Sequence, residues 1–196
     1  PTTYSPFYRL KNSVNFSLCL IGIQAKVVYN RGLCDFSLYN RGTDVELVHG
    51  LHNLRDKHRG CVLTIGKFDG VHLGHKAVLS QLIEQARQRN LPATVMVFEP
   101  QPEEVFFPDS APARLSTLRD KYEALSAIGI DRLICVKFNP TFASQSPQTF
   151  TEDLLVDTLG VKFLVVGDDF RFGKQRAGDF DMLVAAGERH GFSVVN

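Results

Sequence analysis

At 196 residues, with 44% hydrophobic and 22% charged side chains, the chain has the size and composition of a soluble globular protein of one domain, or one domain and a tail, able to bury a core without metal or disulfide staples. A formal net charge of +1 argues against a nucleic-acid binder that works through a basic surface, and no apolar run of about 18 residues suggests a transmembrane helix. Cys19, Cys34, Cys61 and Cys135 are scattered, with no CxxC pair and no histidine cluster of metal spacing, so they are expected to be reduced thiols of a cytoplasmic protein, Cys61 and Cys135 as buried structural residues.

Residues 1–44 differ from the rest of the chain. They carry Arg9, Lys11, Lys26, Arg31 and Arg41 against only Asp35 and Asp44, and they repeat Tyr-Asn-Arg-Gly at 29–32 and 39–42. No helical or strand period is sustained there. The apolar stretch Val14–Ile23 after two basic residues imitates a signal peptide, but no convincing small-residue cleavage site follows. The expectation is a spurious or disordered extension over 1–44, with native translation starting at Val45 from a GTG codon, and a domain over 45–196.

From Val45 the pattern becomes regular. Val62–Ile65 is a short β-branched run stopped by Gly66, which suits a buried parallel strand. Leu79, Leu82, Ile83 and Ala86 recur at helical spacing, predicting a helix over roughly 73–90 that stops at Asn90-Leu91-Pro92. Ala93–Phe98 reads as a second strand. The following segment, with Pro100, Pro102, Pro108 and Pro112, is expected to lack regular structure. Leu118, Tyr122 and Leu125 mark a helix closed by Gly129, and Arg132–Phe138 a third strand. Phe150, Leu154 and Leu155 mark another helix, ending near Gly160. Phe163–Val166 is a fourth strand, Asp179 caps a helix carrying Met182, Leu183 and Ala186, and Phe192–Val195 begins a fifth strand. Alternating strands and helices predict an α/β fold: a Rossmann-like parallel sheet of about five strands, helices on both faces. Ligands then bind beyond the carboxyl ends of the strands, where the loops 66–75 and 167–178 emerge.

The first of these loops reads Gly66-Lys67-Phe68-Asp69-Gly70-Val71-His72-Leu73-Gly74-His75. Gly66 and Gly70 permit a tight turn, and Gly74 removes a side chain where backbone approaches a ligand. The helix start offers unpaired N–H groups and a positive dipole end to phosphate. His72 and His75, three apart, can face the same way and donate hydrogen bonds to phosphoryl oxygens as charge builds in a transition state. Neither a Walker A motif nor GxGxxG is present, and the spacing is not that of a zinc motif. Lys67 reads equally as a phosphate-facing cation or a solvated side chain.

This HxGH at a first strand–helix junction resembles the nucleotidyltransferase superfamily. The longer string GKFDGVHLGH is similar to the N-terminal adenylyltransferase module of prokaryotic bifunctional riboflavin kinase/FAD synthetases, apart from Lys67, where the family often has Asn. The resemblance extends over 45–196 through two more segments. Gly167-Asp168-Asp169-Phe170-Arg171-Phe172-Gly173, continuing to Gly178-Asp179-Phe180, is similar to the family's GDDFRFGxxxxGDF, and Phe138-Asn139 with Phe142-Ala143 and Ser146-Pro147 resembles its FxxxFAxxSP stretch, associated there with the flavin.

The resemblance implies FAD synthesis: the FMN phosphate attacks the α-phosphorus of ATP, with Mg2+ accompanying the nucleotide, and FAD and pyrophosphate are the products. His72 and His75 are the expected catalytic pair. ATP is expected on Gly66, Phe68, Asp69, Gly70, His72, Gly74, His75, Gly167, Asp168, Phe170 and Arg171. Flavin is expected on Pro100, Pro102, Phe106, Asn139 and Phe142, because prolines and aromatics give a rigid apolar wall for a flat ring. The metal ligands are not assigned. The resemblance also implies that the domain is incomplete at its C-terminal end, lacking an SSTxIR-like segment, and that a riboflavin kinase domain partners it in the full-length protein, with neither nucleic acid nor membrane involved. Two alternatives remain open: a truncated, non-catalytic nucleotide- or flavin-binding module, and an adenylyl- or cytidylyltransferase with another phosphate acceptor.

Overall fold

The computed structural model describes residues 45–196, together with the backbone of 14–17, 24–30 and 33–35. The chain forms two compact units, 1–42 and 43–196. In the first, β1 (Val14–Ser17), β2 (Gln24–Asn30) and β3 (Leu33–Asp35) form an antiparallel sheet in that order, with Val14 opposite Val27 and Tyr29 opposite Cys34. Cys19, the side chain of Cys34, the second half of the signal-like stretch and most of the expected extension lie outside the described residues.

The second unit is built on a parallel sheet of β4 (Glu46–His49), β5 (Cys61–Ile65), β6 (Ala93–Glu99), β7 (Arg132–Lys137), β8 (Val161–Val165) and β9 (Ser193–Val195), ordered β4-β7-β6-β5-β8-β9. Five strands correspond to those expected. The sixth, β4, is a four-residue edge strand with only Val48 fully buried, so its sequence carries little strand signal. Glu46 anchors it: the carboxylate accepts from Lys57 at 2.6 Å and from buried Arg132 at 3.0 Å, and these partners hold it down to about 2 against its own burial.

α1 (Leu73–Arg89) links β5 to β6, and α3 (Leu118–Ile128) links β6 to β7. Both pack on one face, where Leu79, Leu82, Ala86 and Leu125 meet Val62, Val95 and Leu133. On the other face lie the wide, π-helical turns of Phe150–Thr158 and α6 (Phe180–His190), whose Leu154, Leu155, Leu183 and Ala186 meet Leu63, Ile65, Met96 and Ile134. Successive residues of β5 thus feed opposite cores, as a strand buried on both sides requires. The expected helix ends are present: Asn90 and Gly129 take left-handed C-cap conformations, and the Asp179 carboxylate accepts from Met182 N–H at 3.0 Å.

The proline-rich segment after β6 is more ordered than expected. Pro102 opens a short helix, α2 (Pro102–Phe106), where its missing N–H costs nothing, and the Gln101 N–H donates to the Glu104 carboxylate at 2.8 Å in a capping box. After β7 come the short turns α4 (Pro140–Ala143) and α5 (Pro147–Thr149), each opened by a proline and capped by a side chain, Asn139 accepting from Phe142 N–H and Ser146 from Thr149 N–H. Strand order reverses beside β5: the chain runs β5, β6, β7 outward on one side, then returns to β8 and β9 on the other. The crevice at the carboxyl ends of β5 and β8 is therefore where ligand is expected in such a sheet.

Candidate functional site

The loop from β5 to α1 is bent by a run of positive φ angles, Phe68 at 48°, Gly70 at 71° and Val71 at 35°. For a β-branched residue such as Val71 this is a strained backbone. Phe68 is driven under the loop into the core, while His72 becomes the N-cap of α1, with no side chain capping the first-turn amides. Those amides have no acceptor within the helix and face the crevice end. The two imidazoles stack, their centroids 3.8 Å apart, and Phe68 lies 4.9 Å from His75. Gly74 leaves room beside this stack, since a Cβ there would meet the His72 ring at a tight 3.2 Å. His75 is half-buried with its Nδ1 unpartnered. Burial pushes its protonation down, helped by the charges of His72 and Lys121 and opposed by Asp69.

A strap from before α3 holds the loop through Asp69 and Gly70. The Asp69 carboxylate accepts from the N–H groups of Leu115 and Ser116, at 3.0 and 2.8 Å, and from the Ser116 hydroxyl at 2.6 Å; the Gly70 N–H donates to that hydroxyl at 3.1 Å. Partial burial raises the Asp69 carboxyl, but these donors outweigh it and hold the group at about 2. One residue earlier in the strap, Arg114 pairs with both Glu99, at the end of β6, and Glu104 of α2. The exposed Lys67 ammonium pairs with Glu103 of α2.

Glu103 also lines a cavity of about 220 Å³. Its walls are chiefly aromatic: Phe98 from β6, Phe106 and Phe107 from α2, Phe138 and Phe142 after β7, and Phe170 and Phe172 after β8. Phe142 meets its neighbours edge to face or tilted, 5.7 Å from Phe98, 5.9 Å from Phe138 and 6.3 Å from Phe150, while Phe170 and Phe172 stack at 5.8 Å. Arg171 and Arg176 bring guanidinium groups to the rim. The loop 167–178 closes that side through backbone bonds between Phe172 and Gly178 and a 2.7 Å bond from Lys174 N–H to Gln145 O. Gly173 has φ 71°, and a Cβ there would strike the Pro147 nitrogen at 2.7 Å, so only glycine lets the two loops meet.

The expected residues therefore fall into distinct places. His72, His75, Gly66, Phe68, Asp69, Gly70 and Gly74 form one loop, in which Phe68 and Asp69 serve internal packing and tethering. Pro102, Phe106, Phe142, Phe170 and Arg171 line the cavity. Pro100 and Asn139 do not: Pro100 lies between β6 and α2, and the Asn139 side chain caps α4, accepting from Phe142 N–H at 2.8 Å. Gly167 and Asp168 are exposed at the end of β8, and Arg171 pairs with Asp179 at 3.4 Å. Unforeseen were the strap 114–116, the carboxylates Glu99, Glu103 and Glu104, and Lys121. The lysine had a visible signal, for it sits on the same helical stripe as Leu118, Tyr122 and Leu125, where an apolar residue is expected. Cys61 and Cys135 are buried free thiols, each raised to about 11 chiefly by burial.

A doubly wound parallel sheet with stacked histidines at its switch point and an apolar chamber alongside is the α/β nucleotidyltransferase type. The sequence profile of the FAD synthetase family matches residues 54–196, and the chain belongs to that family. It is 54% identical over 153 residues to the bifunctional riboflavin kinase/FMN adenylyltransferase of Escherichia coli (strain K12), covering 78% of this chain and 49% of the relative. It is 53% identical over 150 residues to the protein of the same name from Pseudomonas fluorescens, covering 76% and 48%. The chain thus spans about half the length of the curated relatives it matches. The crystal structure titled a macrolide-efflux protein from Streptococcus pneumoniae superposes with a TM-score of 0.62 at 22% identity, over 77% of this chain and 50% of that one, a likeness of fold alone. Among the described residues no helix is long and apolar enough to cross a membrane.

Proposed function

We propose that residues 45–196 transfer the adenylyl group of ATP to FMN, forming FAD and pyrophosphate. The observation that carries this reading is the meeting, at one sheet edge, of an aromatic chamber sized for a flat ring system and a histidine-bearing helix start suited to phosphates. The isoalloxazine ring occupies the cavity between Phe106, Phe138, Phe142 and Phe170, with Pro102 at its edge. The ATP phosphates lie on the α1 amides and the two imidazoles, and Arg171 approaches from the 167–178 loop.

In this arrangement an oxygen of the FMN phosphate attacks the α-phosphorus of ATP. A new P–O bond forms as the bond to the bridging oxygen breaks, and pyrophosphate leaves with that electron pair. Positioning and charge stabilisation suffice, without a covalent enzyme intermediate. An imidazole kept neutral by burial donates its N–H to a phosphoryl oxygen as negative charge develops.

Mg2+ suits the site as a companion of ATP. Such ions are usually held by one or two carboxylates and the substrate's phosphates, and the exposed Asp168 and Asp169 at the end of β8 would be the carboxylates to hold it. Bound there, the ion would neutralise charge on the phosphates. From the relatives' names we also propose that a riboflavin kinase module accompanies this domain, and from the free buried thiols that the protein works in the cytoplasm.

The test is chromatographic detection of FAD from FMN and Mg-ATP, using residues 45–196 beside a chain extended to the length of the relatives. FAD formed by either supports the reading. Flavin bound by both with no FAD formed overturns it in favour of a binding module.

A further inference from the structure

The Arg114 guanidinium commits all three of its nitrogens to carboxylates. Nε and Nη2 take the two oxygens of Glu104 in α2, and Nη1 pairs with Glu99 at the end of β6. A planar fork on a carboxylate fixes direction as well as distance, which a lysine ammonium does not. The side chains of Arg114, Glu99 and Glu104 are 33%, 22% and 25% exposed, so these pairs are better shielded than ordinary surface ion pairs. The next two residues, Leu115 and Ser116, donate their N–H groups to Asp69, and the Ser116 hydroxyl accepts from Gly70 N–H. A continuous path of bonds therefore runs from α2 through Arg114 and its neighbours to the loop that carries His72 and His75. At its near end α2 contributes Pro102, Glu103 and Phe106 to the chamber wall. Lys67 ties the loop directly to Glu103, but as a single pair with a half-exposed lysine it contributes less.

We propose that Arg114 is a positioning residue that sets the flavin wall and the histidine loop at a fixed separation, so that the FMN phosphate meets the α-phosphorus of ATP in line. It does so without touching either substrate. Each seat keeps its own supports when the guanidinium is removed. Pro102 still opens α2 and the Gln101 N–H still donates to Glu104. Phe98, Phe138 and Phe142 still pack on one another, and Asp69 still has its strap bonds. What is lost is the fixed relation between the two seats. For two bound reactants, a misplacement of about 1 Å costs on the order of 10²-fold in rate, although neither ligand loses its own contacts.

The kinetic consequence rests on the adenylyl-transfer reading, but the tie itself does not. Two measurements compare the wild type with Arg114→Met and Arg114→Lys, in the chain extended to the length of the relatives. Amide hydrogen exchange reads the tie. In Arg114→Met the Gly70, Leu115 and Ser116 amides should exchange about tenfold faster, while those of β6 and β7 hold. Steady-state kinetics and flavin fluorescence read the consequence. In Arg114→Met kcat should fall roughly tenfold, with KM and quenching affinity for FMN within about threefold of wild type, since α2 supplies only the outer wall. Arg114→Lys should recover part of kcat, keeping a charge pair but not the fork. Unchanged exchange at Gly70, Leu115 and Ser116 overturns the proposal and leaves Arg114 a surface ion pair. An unchanged kcat, or a fall in kcat matched by an equal loss of flavin affinity, overturns it too. If Arg114→Met does not fold, Glu104→Gln, which keeps an acceptor for the Gln101 N–H, is read in the same way, and failure of both to fold also overturns it. Should the wild type form no FAD, the transfer reading falls while amide exchange still decides whether Arg114 joins α2 to the loop.

Discussion

The aromatic chamber and the histidine loop share one edge of the sheet but are held by different forces. In the chamber, Phe142 touches Phe98, Phe138 and Phe150, and each of those rings is packed by others or by the core. Such cohesion is redundant and apolar. The loop has strained residues at Phe68 and Val71 and depends on one carboxylate, Asp69, bonded to the strap. The comparison teaches a division of labour: the chamber can supply ring affinity with little dependence on pH, while the loop can supply transition-state contacts that depend on charge.

The sharpest way to break that division is His75→Ala. Losing one preorganised donor to a developing oxyanion should lower kcat by about 10²–10³-fold, while flavin affinity, read by fluorescence quenching, stays at its wild-type value. Equal losses in both would show that the two regions act as one. The complementary change is Phe142→Ala. Removing a half-buried ring with three aromatic neighbours should cost about 2 kcal/mol of stability and raise KM for FMN roughly tenfold, leaving kcat nearly intact. Denaturant titration and steady-state kinetics check the two parts.

The two regions were also unequally legible. The histidine loop was readable because glycines, a buried strand and a helix start sit in one short string, and local geometry forces His72 and His75 together. The chamber is assembled from three segments distant in sequence, those after β6, β7 and β8, so its residue types could be named but not their neighbours. Asn139 and Pro100 show the cost: both lie in segments that build the wall, yet one caps a turn and the other precedes a helix rather than facing the cavity. The strap was invisible for the same reason, since Asp69 and Ser116 are 47 residues apart. β4 was missed because an edge strand paired on one side, with alternating burial over four residues, falls below what periodicity can resolve.

A subtler test of the loop uses pH. Asp69 is held at about 2 in the folded protein, below its value in an unfolded chain. Its contribution to stability is therefore complete above about pH 4 and drains as pH falls toward 2. Asp69→Asn should lower the thermal midpoint most near neutrality, and the gap to the wild type should close on acidification. Glu46, also held at about 2 but at the far edge of the sheet, titrates in both proteins and cancels in the difference. A gap that stays constant down to pH 2 would mean that the carboxylate's charge is not what fastens the strap.

The smallest expected effect is the most diagnostic of how the chamber is held. Phe106 lines the cavity but is 54% exposed, at the end of the short helix α2. Its ring meets Phe138 at 5.6 Å and Phe107 at 6.4 Å, and neither contact is buried in the core. Phe106→Ala should thus leave stability within about 0.5 kcal/mol of wild type and raise KM for FMN only about threefold, a fraction of a stacking interaction. If instead it destabilised the domain as strongly as Phe142→Ala, the outer wall would be part of the core. If it left KM unchanged, the flavin ring would lie deeper, against Phe142 and Phe170, with Phe106 outside the bound ring. Either result would move the boundary between the packing that holds the fold and the surface that meets the substrate.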